Sequence, residues 1–219
     1  MTPDRLVVVC TANMIRSPFI AGLLATRLAS SPHVRLRVES AGTAARPGAS
    51  ATSEVQEVAR AYGLDLGDHR ARLLTDGLLQ QGDTVLCAER AHRRVVLDLR
   101  PDLVSSVFTV REFARHAEAV CARGGASDWS ALVRAAGRRR LATAGETDRD
   151  DDIVDPVGGS RSVWRDFEQQ ATLAVSAILG SVSTLSGPSV GKGDPHSMTR
   201  REYRRRHGGD AARPVARGA

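Results

Sequence analysis

The chain has 219 residues and a mass of 23.4 kDa, and 42% of it is apolar. That suits one domain with a real core and some chain left over, and it excludes disorder throughout. No apolar run approaches the roughly 18 residues of a membrane span, and the N-terminus lacks a basic flank, a long apolar region and a small-residue cleavage site, so a soluble, cytoplasmic protein is expected. The net charge of +6 is uneven, because the segment from Ser186 onward carries eight basic residues against three acidic ones. The rest of the chain is close to neutral, and the high pI says little about any site in it.

Leu6 to Val9 is an unbroken aliphatic run that predicts a strand covered on both faces. Ser17-Pro18, followed by Phe19, Leu23, Leu24 and Leu28, predicts a helix with a cap-like start. Arg35 to Glu39 alternates like a half-exposed edge strand, and Val55, Val58, Ala59 and Tyr62 then recur at helical spacing up to Gly63. Asp83 to Cys87 and Val104 to Thr109 are two more strand candidates, flanking a helical stretch from Glu89 to Leu99 that Pro101 stops. Residues 115–150 look less regular and are treated as an insertion, with a short helical stretch around Trp129 to Ala136. Val163 to Leu179 predicts a long amphipathic helix. Strands alternating with helices imply an α/β fold, a single three-layer domain with a parallel sheet and helices on both faces. The domain is expected over residues 1–185, with a disordered Arg-rich tail over 186–219.

Cys10, Cys87 and Cys121 form an odd, widely spaced set without a CxxC pair, so neither a disulfide framework nor a cysteine zinc site is suggested. The stretch Cys10-Thr11-Ala12-Asn13-Met14-Ile15-Arg16-Ser17-Pro18 instead puts a cysteine at a strand end and an arginine six positions later at a helix start. Loop N–H groups, the helix dipole and a guanidinium fork converge on a phosphate dianion there, and the same field favours the Cys10 thiolate. Spacing alone is not specific, because Cys87 also ends a strand and is also followed six residues later by an arginine, Arg93. The loops separate the two. Cys10 has Asn13, which tolerates a left-handed backbone, whereas Cys87 runs directly into helix-forming residues and reads as a core thiol.

These residues resemble the signature of the low-molecular-weight protein tyrosine phosphatase family, a strand followed by C-x-G-N-x-x-R-S-P and a helix. Ser40-Ala41-Gly42, His69-Arg70-Ala71-Arg72, Asp83 to Cys87 and Val154-Asp155-Pro156 are similar to further family segments in the same order. The resemblance spans residues 5 to about 182 and implies a four-stranded parallel sheet with the site at the carboxyl ends of its strands. It implies Cys10 as nucleophile, Arg16 as the phosphoryl-binding cation, and Asp155 as the general acid that later serves as base. It also implies Ser17 as a donor to the thiolate, Asn13 and Ser40 bonded to each other, and Thr11, Ala12, Met14 and Ile15 as the rest of the phosphate-binding loop. His69 reads as a histidine bracing the loop after the second helix. No metal and no cofactor is expected, and the expected substrate is a phosphotyrosine protein or a small aryl phosphate. The neighbouring Asp148, Asp150, Asp151 and Asp152 are expected to favour the protonated form of Asp155 by like-charge repulsion.

The sequence departs from the family pattern in three places. Ala12 stands where the family has glycine, Ile15 where a second loop cysteine is common, and Val157-Gly158-Gly159 where aromatics often follow the Asp-Pro pair. Trp129 is a candidate replacement wall or, more simply, a core residue. Two other readings compete with the phosphatase. One is a thiol-coupled arsenate reductase, which would need further cysteines near each other. The other is a non-catalytic phosphate-sensing module whose basic tail binds an anionic polymer. Nothing in the residues fixes an oligomeric state.

Overall fold

The computed structural model describes residues 4–29, 34–143 and 150–185. The expected disordered tail, with its anionic polymer partner, and Asp148 lie outside these residues. Four strands, β1 (Asp4–Cys10), β2 (Leu36–Gly42), β3 (Thr84–Cys87) and β4 (Val107–Thr109), form one parallel sheet in the order β2-β1-β3-β4. The helices are α1 (Arg16–Leu28), α2 (Ser53–Ala61), α3 (Arg90–Leu99), α4 (Val110–Cys121), α5 (Trp129–Ala142) and α6 (Arg161–Ser183).

Side chains alternate across a strand, so each strand feeds two cores. Leu6, Val8, Leu86 and Phe108 pack with α1, α2, α4, α5 and α6 on one face. Val7, Val9, Val85, Cys87 and Val107 meet Val96 of α3 together with Leu74, Leu79 and Leu103 on the other. The expected three-layer α/β architecture is what forms, with unequal outer layers. Among the described residues no helix is long and apolar enough to cross a membrane.

Three local expectations change. β4 is shorter than the candidate Val104 to Thr109, because Pro101 starts a tight turn in which Val104 and Ser106 donate back to Pro101 and Leu103. Within the stretch expected to be irregular, residues 115–121 and 129–142 are helical. Thr109 and Glu112 form a capping box that starts α4, and Asp128 caps α5 by accepting the Ala131 N–H. Ser17 is not a cap. Ile15 occupies the cap position of α1 without a side-chain bond, and Ser17 sits inside the first turn.

Candidate active site

β1 ends at Cys10 and α1 begins at Arg16, so residues 11–15 must turn the chain within a single loop at the carboxyl end of the sheet. Asn13 makes that turn possible with φ 55°, the one positive φ at a non-glycine residue among the described residues. Ala12 needs no such conformation, so alanine at the family's glycine position introduces no backbone strain. Gly42, at the end of β2, lets the loop lie directly on the sheet edge. A β-carbon there would come within 2.4 Å of the Thr11 carbonyl oxygen and 2.8 Å of the Asn13 nitrogen. Thr43 and Ala44 donate to the carbonyls of Cys10 and Thr11, which pins the loop from the same side.

The Asn13 side chain organises the interior. Its Nδ2 donates to Ser17 Oγ and to Ser40 Oγ, both at 2.9 Å, while its Oδ1 accepts the Arg72 N–H at 2.8 Å. Ser17 Oγ lies 3.0 Å from Cys10 Sγ and, already accepting from Asn13, can point its own proton at the sulfur. The Asn13 N–H reaches the same sulfur at 3.3 Å. Asn13 and Ser17 are fully buried, so these polar groups depend on one another for hydrogen bonds.

Arg16 is also buried, with its guanidinium held from both sides. Nη1 donates to Glu89 and, at 3.1 Å, to the Ile153 carbonyl. Nη2 donates to Asp155 Oδ2 at 2.7 Å and to Thr11 Oγ1 at 3.3 Å. Asp155 stays half exposed and takes the Val157 N–H on its other oxygen. Met14 is half-buried and Ile15 is packed in the core.

The structure therefore gathers Cys10, Thr11, Asn13, Arg16, Ser17, Ser40 and Asp155 around one loop. Asp150 and Asp151 are not gathered there, whereas Asp152 accepts the Arg90 N–H at the start of α3, next to Glu89. Asp151 pairs with Arg115 and Asp152 with Arg90, while Asp150 accepts the Asp152 N–H. Trp129 is a core residue, buried against Phe113 with its Nε1 donating to Thr84, so it forms no wall for a substrate.

Sequence reasoning missed Glu89, His92, Arg72 and Gly42 as members of this constellation. His69 braces the loop between Cys10 and Arg16, since its ring nitrogen lies 2.7 Å from the Asn13 carbonyl oxygen. Burial pushes its pKa down. Two signals were present: the glycine of Ser40-Ala41-Gly42 and the Glu-x-x-His pattern at the start of α3.

All three thiols are free. Cys87 shares a sheet face with Val9 and so points away from the side that Cys10 takes as the next residue. Burial pushes the Cys87 thiol far up, as expected of an inert core thiol. Cys121 contacts the Ser181 carbonyl between α4 and α6.

A family model described as low molecular weight phosphotyrosine protein phosphatase matches residues 5–122. The chain is 35% identical over 104 residues to "Low molecular weight protein-tyrosine-phosphatase Wzb" of Salmonella typhi, a stretch covering 48% of this chain and 66% of that protein. It is 24% identical over 182 residues to "Protein-arginine-phosphatase" of Geobacillus stearothermophilus, covering 83% of this chain and 98% of that protein. Among solved structures, the low molecular weight protein tyrosine phosphatase from T. tengcongensis superposes with a TM-score of 0.60 at 24% identity, covering 81% of this chain and 98% of the other. That likeness concerns the fold.

Proposed function

The chain belongs to the low molecular weight phosphotyrosine protein phosphatase family, and we propose that it hydrolyses aryl phosphate monoesters, phosphotyrosine in proteins or a small analogue, through a phosphocysteine intermediate on Cys10. The observation that carries this reading is the Cys10 sulfur held between Ser17 Oγ at 3.0 Å and the donating Asn13 N–H at 3.3 Å, in the same loop as a buried Arg16. A sulfur so held is ready to attack, and the loop N–H groups with Arg16 supply the positive potential for a phosphoryl dianion.

In the first step the Cys10 thiolate attacks phosphorus, the P–S bond forms and the P–O bond to the aryl group breaks. Asp155, protonated from solvent once it has left Arg16, gives that proton to the departing oxygen. In the second step the Asp155 carboxylate takes a proton from water as that water attacks phosphorus, and the P–S bond breaks to return the thiolate and release inorganic phosphate. The Arg16–Asp155 ion pair bears on the order of events. Phosphoryl oxygens compete with Asp155 for Nη2 of Arg16, which frees the carboxyl group to turn toward the leaving oxygen.

Val157, two residues beyond Asp155, is 68% exposed and offers an apolar side chain to a phenyl ring. The near full-length match to a protein-arginine-phosphatase favours a second reading, a phosphorylated guanidinium as substrate. Glu89, Asp152 and Asp155 would have to provide its counter-charge, and all three already pair with arginines. The burial of Cys87 and the place of Cys121 between α4 and α6 leave an internal arsenate-reductase relay without support. A thiol nucleophile and three free cysteines fit a reducing compartment, which supports a cytoplasmic setting.

Turnover of p-nitrophenyl phosphate, a phosphotyrosine peptide and a phosphoarginine peptide by the natural chain and by Cys10→Ser tests the proposal. The expected result is turnover of the two aryl esters, little of the arginine derivative, and loss of essentially all activity in the variant. Preference for phosphoarginine would install the second reading, and activity retained by Cys10→Ser would sink both.

A further inference from the structure

His92 lies in the first turn of α3 and is 4% exposed. Its two ring nitrogens have different partners. The Glu89 N–H donates to Nδ1 at 3.1 Å, so Nδ1 carries a lone pair and the neutral ring has its proton on Nε2. Nε2 lies 2.8 Å from Thr11 Oγ1 and therefore donates to it. The same oxygen accepts Nη2 of Arg16 at 3.3 Å. Both acceptor sites of the Thr11 hydroxyl are thus occupied, and its rotamer is fixed although the residue lies at the surface.

Resting on the phosphatase reading above, we propose that His92, in its neutral Nε2–H form, is a positioning residue for Arg16 and acts through the Thr11 hydroxyl. Nη1 of Arg16 is anchored by Glu89 and the Ile153 carbonyl, neither of which a substrate needs to displace. Nη2 is anchored by Asp155 and Thr11. Once Asp155 leaves to serve the departing oxygen, Thr11 is the remaining protein anchor of Nη2. Without His92 that anchor would be a surface threonine free to rotate. With it, the guanidinium plane stays aimed at the phosphoryl group, so the donors need no rearrangement as charge develops.

Capping of α3 explains the bond to Nδ1 and leaves the one from Nε2 to Thr11 without a purpose. The neutral form is favoured because burial lowers the His92 pKa. The charges facing it, Glu89, Asp155 and Asp152 against Arg16, partly offset one another. Glu89 and His92 thus serve the same arginine from both ends of one capping turn.

The test is orthophosphate binding by calorimetry, together with kcat/KM for p-nitrophenyl phosphate and melting temperature, on the natural chain, Thr11→Val, Thr11→Ser, His92→Asn and the His92→Asn/Thr11→Val double variant. Thr11→Val removes the acceptor and leaves the α3 cap intact. It is expected to weaken phosphate binding and lower kcat/KM by about tenfold each, the size of one hydrogen bond to a charged group, in a protein that still melts cooperatively. Thr11→Ser should restore both to within about twofold. His92→Asn should match Thr11→Val in binding, and the double variant should be no worse than either single one, because both break the same path. Phosphate affinity unchanged in Thr11→Val overturns the proposal, as does a double variant whose losses multiply. A natural chain that binds phosphate without turning over the ester would defeat the phosphatase reading while the binding series still decides the role of His92. A natural chain that binds no phosphate would defeat both.

Discussion

The Asp155 carboxylate lies 2.7 Å from the Arg16 guanidinium, so the proposed acid and the proposed phosphate-binding cation are each other's partner when the site is free. Removing the carboxylate therefore has opposite effects on binding and on chemistry. Asp155→Ala should lower kcat for an aryl phosphate by about 10²–10⁴-fold, the usual worth of a general acid. Orthophosphate should bind equally or more tightly, because Arg16 loses a competitor. Competitive inhibition by phosphate measures this directly, and a tenfold weakening would show that Asp155 holds Arg16 in place instead of competing for it.

Gly42 sets how closely the loop of residues 11–15 approaches the sheet. In Gly42→Ala the new methyl would sit 2.4 Å from the Thr11 carbonyl oxygen and 2.9 Å from the Ala12 carbonyl carbon, both backbone atoms that a side-chain rotation cannot move. The loop has to shift, and overpacking of this kind costs about 1–3 kcal/mol of stability. Displacement of donors by an ångström is enough to cost about 100-fold in rate. A folded Gly42→Ala protein with kcat/KM lowered by that order is the expected outcome, read from kinetics beside a thermal melt.

What was legible in the sequence was what is local. The loop from Cys10 to Pro18 is contiguous, and its strand and helix follow from an aliphatic run and a 3.6-residue period, so Cys10, Arg16 and the left-handed Asn13 stand close together in the chain. The partners of Arg16 did not. Glu89 is 73 positions away, and the Ile153 carbonyl is 137 away and belongs to the backbone, so no side-chain pattern marks it. Helix α4, and α5 beyond Ala136, were hidden for a different reason. Their apolar faces are broken by Arg115, His116 and the Arg138 to Arg140 run. Yet His116 is buried, and Arg140 spends its charge on the carbonyls of Val104 and Val107 and on the face of Phe108. Trp129 read as ambiguous because burial of its ring and satisfaction of its N–H both depend on Phe113 and Thr84, which are distant in sequence.

Cys10 and Cys87 share the same spacing to an arginine, and their environments predict opposite reactivity. Cys87 is fully buried on the α3 side of the sheet, and loss of solvent pushes its thiol up against a smaller opposing pull from Arg93, whose charge is shared with Glu112. Brief alkylation with iodoacetamide followed by peptide mass spectrometry should label Cys10, with saturating phosphate protecting it, and leave Cys87 unmodified until the protein is denatured. Labelling of Cys87 in the folded protein would contradict the sheet-face assignment.

His116 links stability to pH. It is buried on α4, its Nδ1 has no hydrogen-bond partner, and burial followed by Arg115, Arg139 and Arg140 pulls its pKa down to about 4, against a smaller opposing pull from Asp151. In the unfolded chain the imidazole takes a proton as pH falls through about 6.5, whereas in the folded state it does not until about 4. Folding stability from this group is therefore intact above pH 6.5 and is lost progressively between 6.5 and 4, at up to about 1.4 kcal/mol per pH unit. His69 and His92 are lowered in the same direction and add to the trend. Replacing His116 with leucine should leave part of the acid destabilisation and flatten the rest. Urea midpoints measured at half-unit steps from pH 7.5 to 4 would reveal this as a smaller slope in the variant, and an unchanged slope would mean that His116 becomes charged in the folded protein as readily as in the unfolded chain.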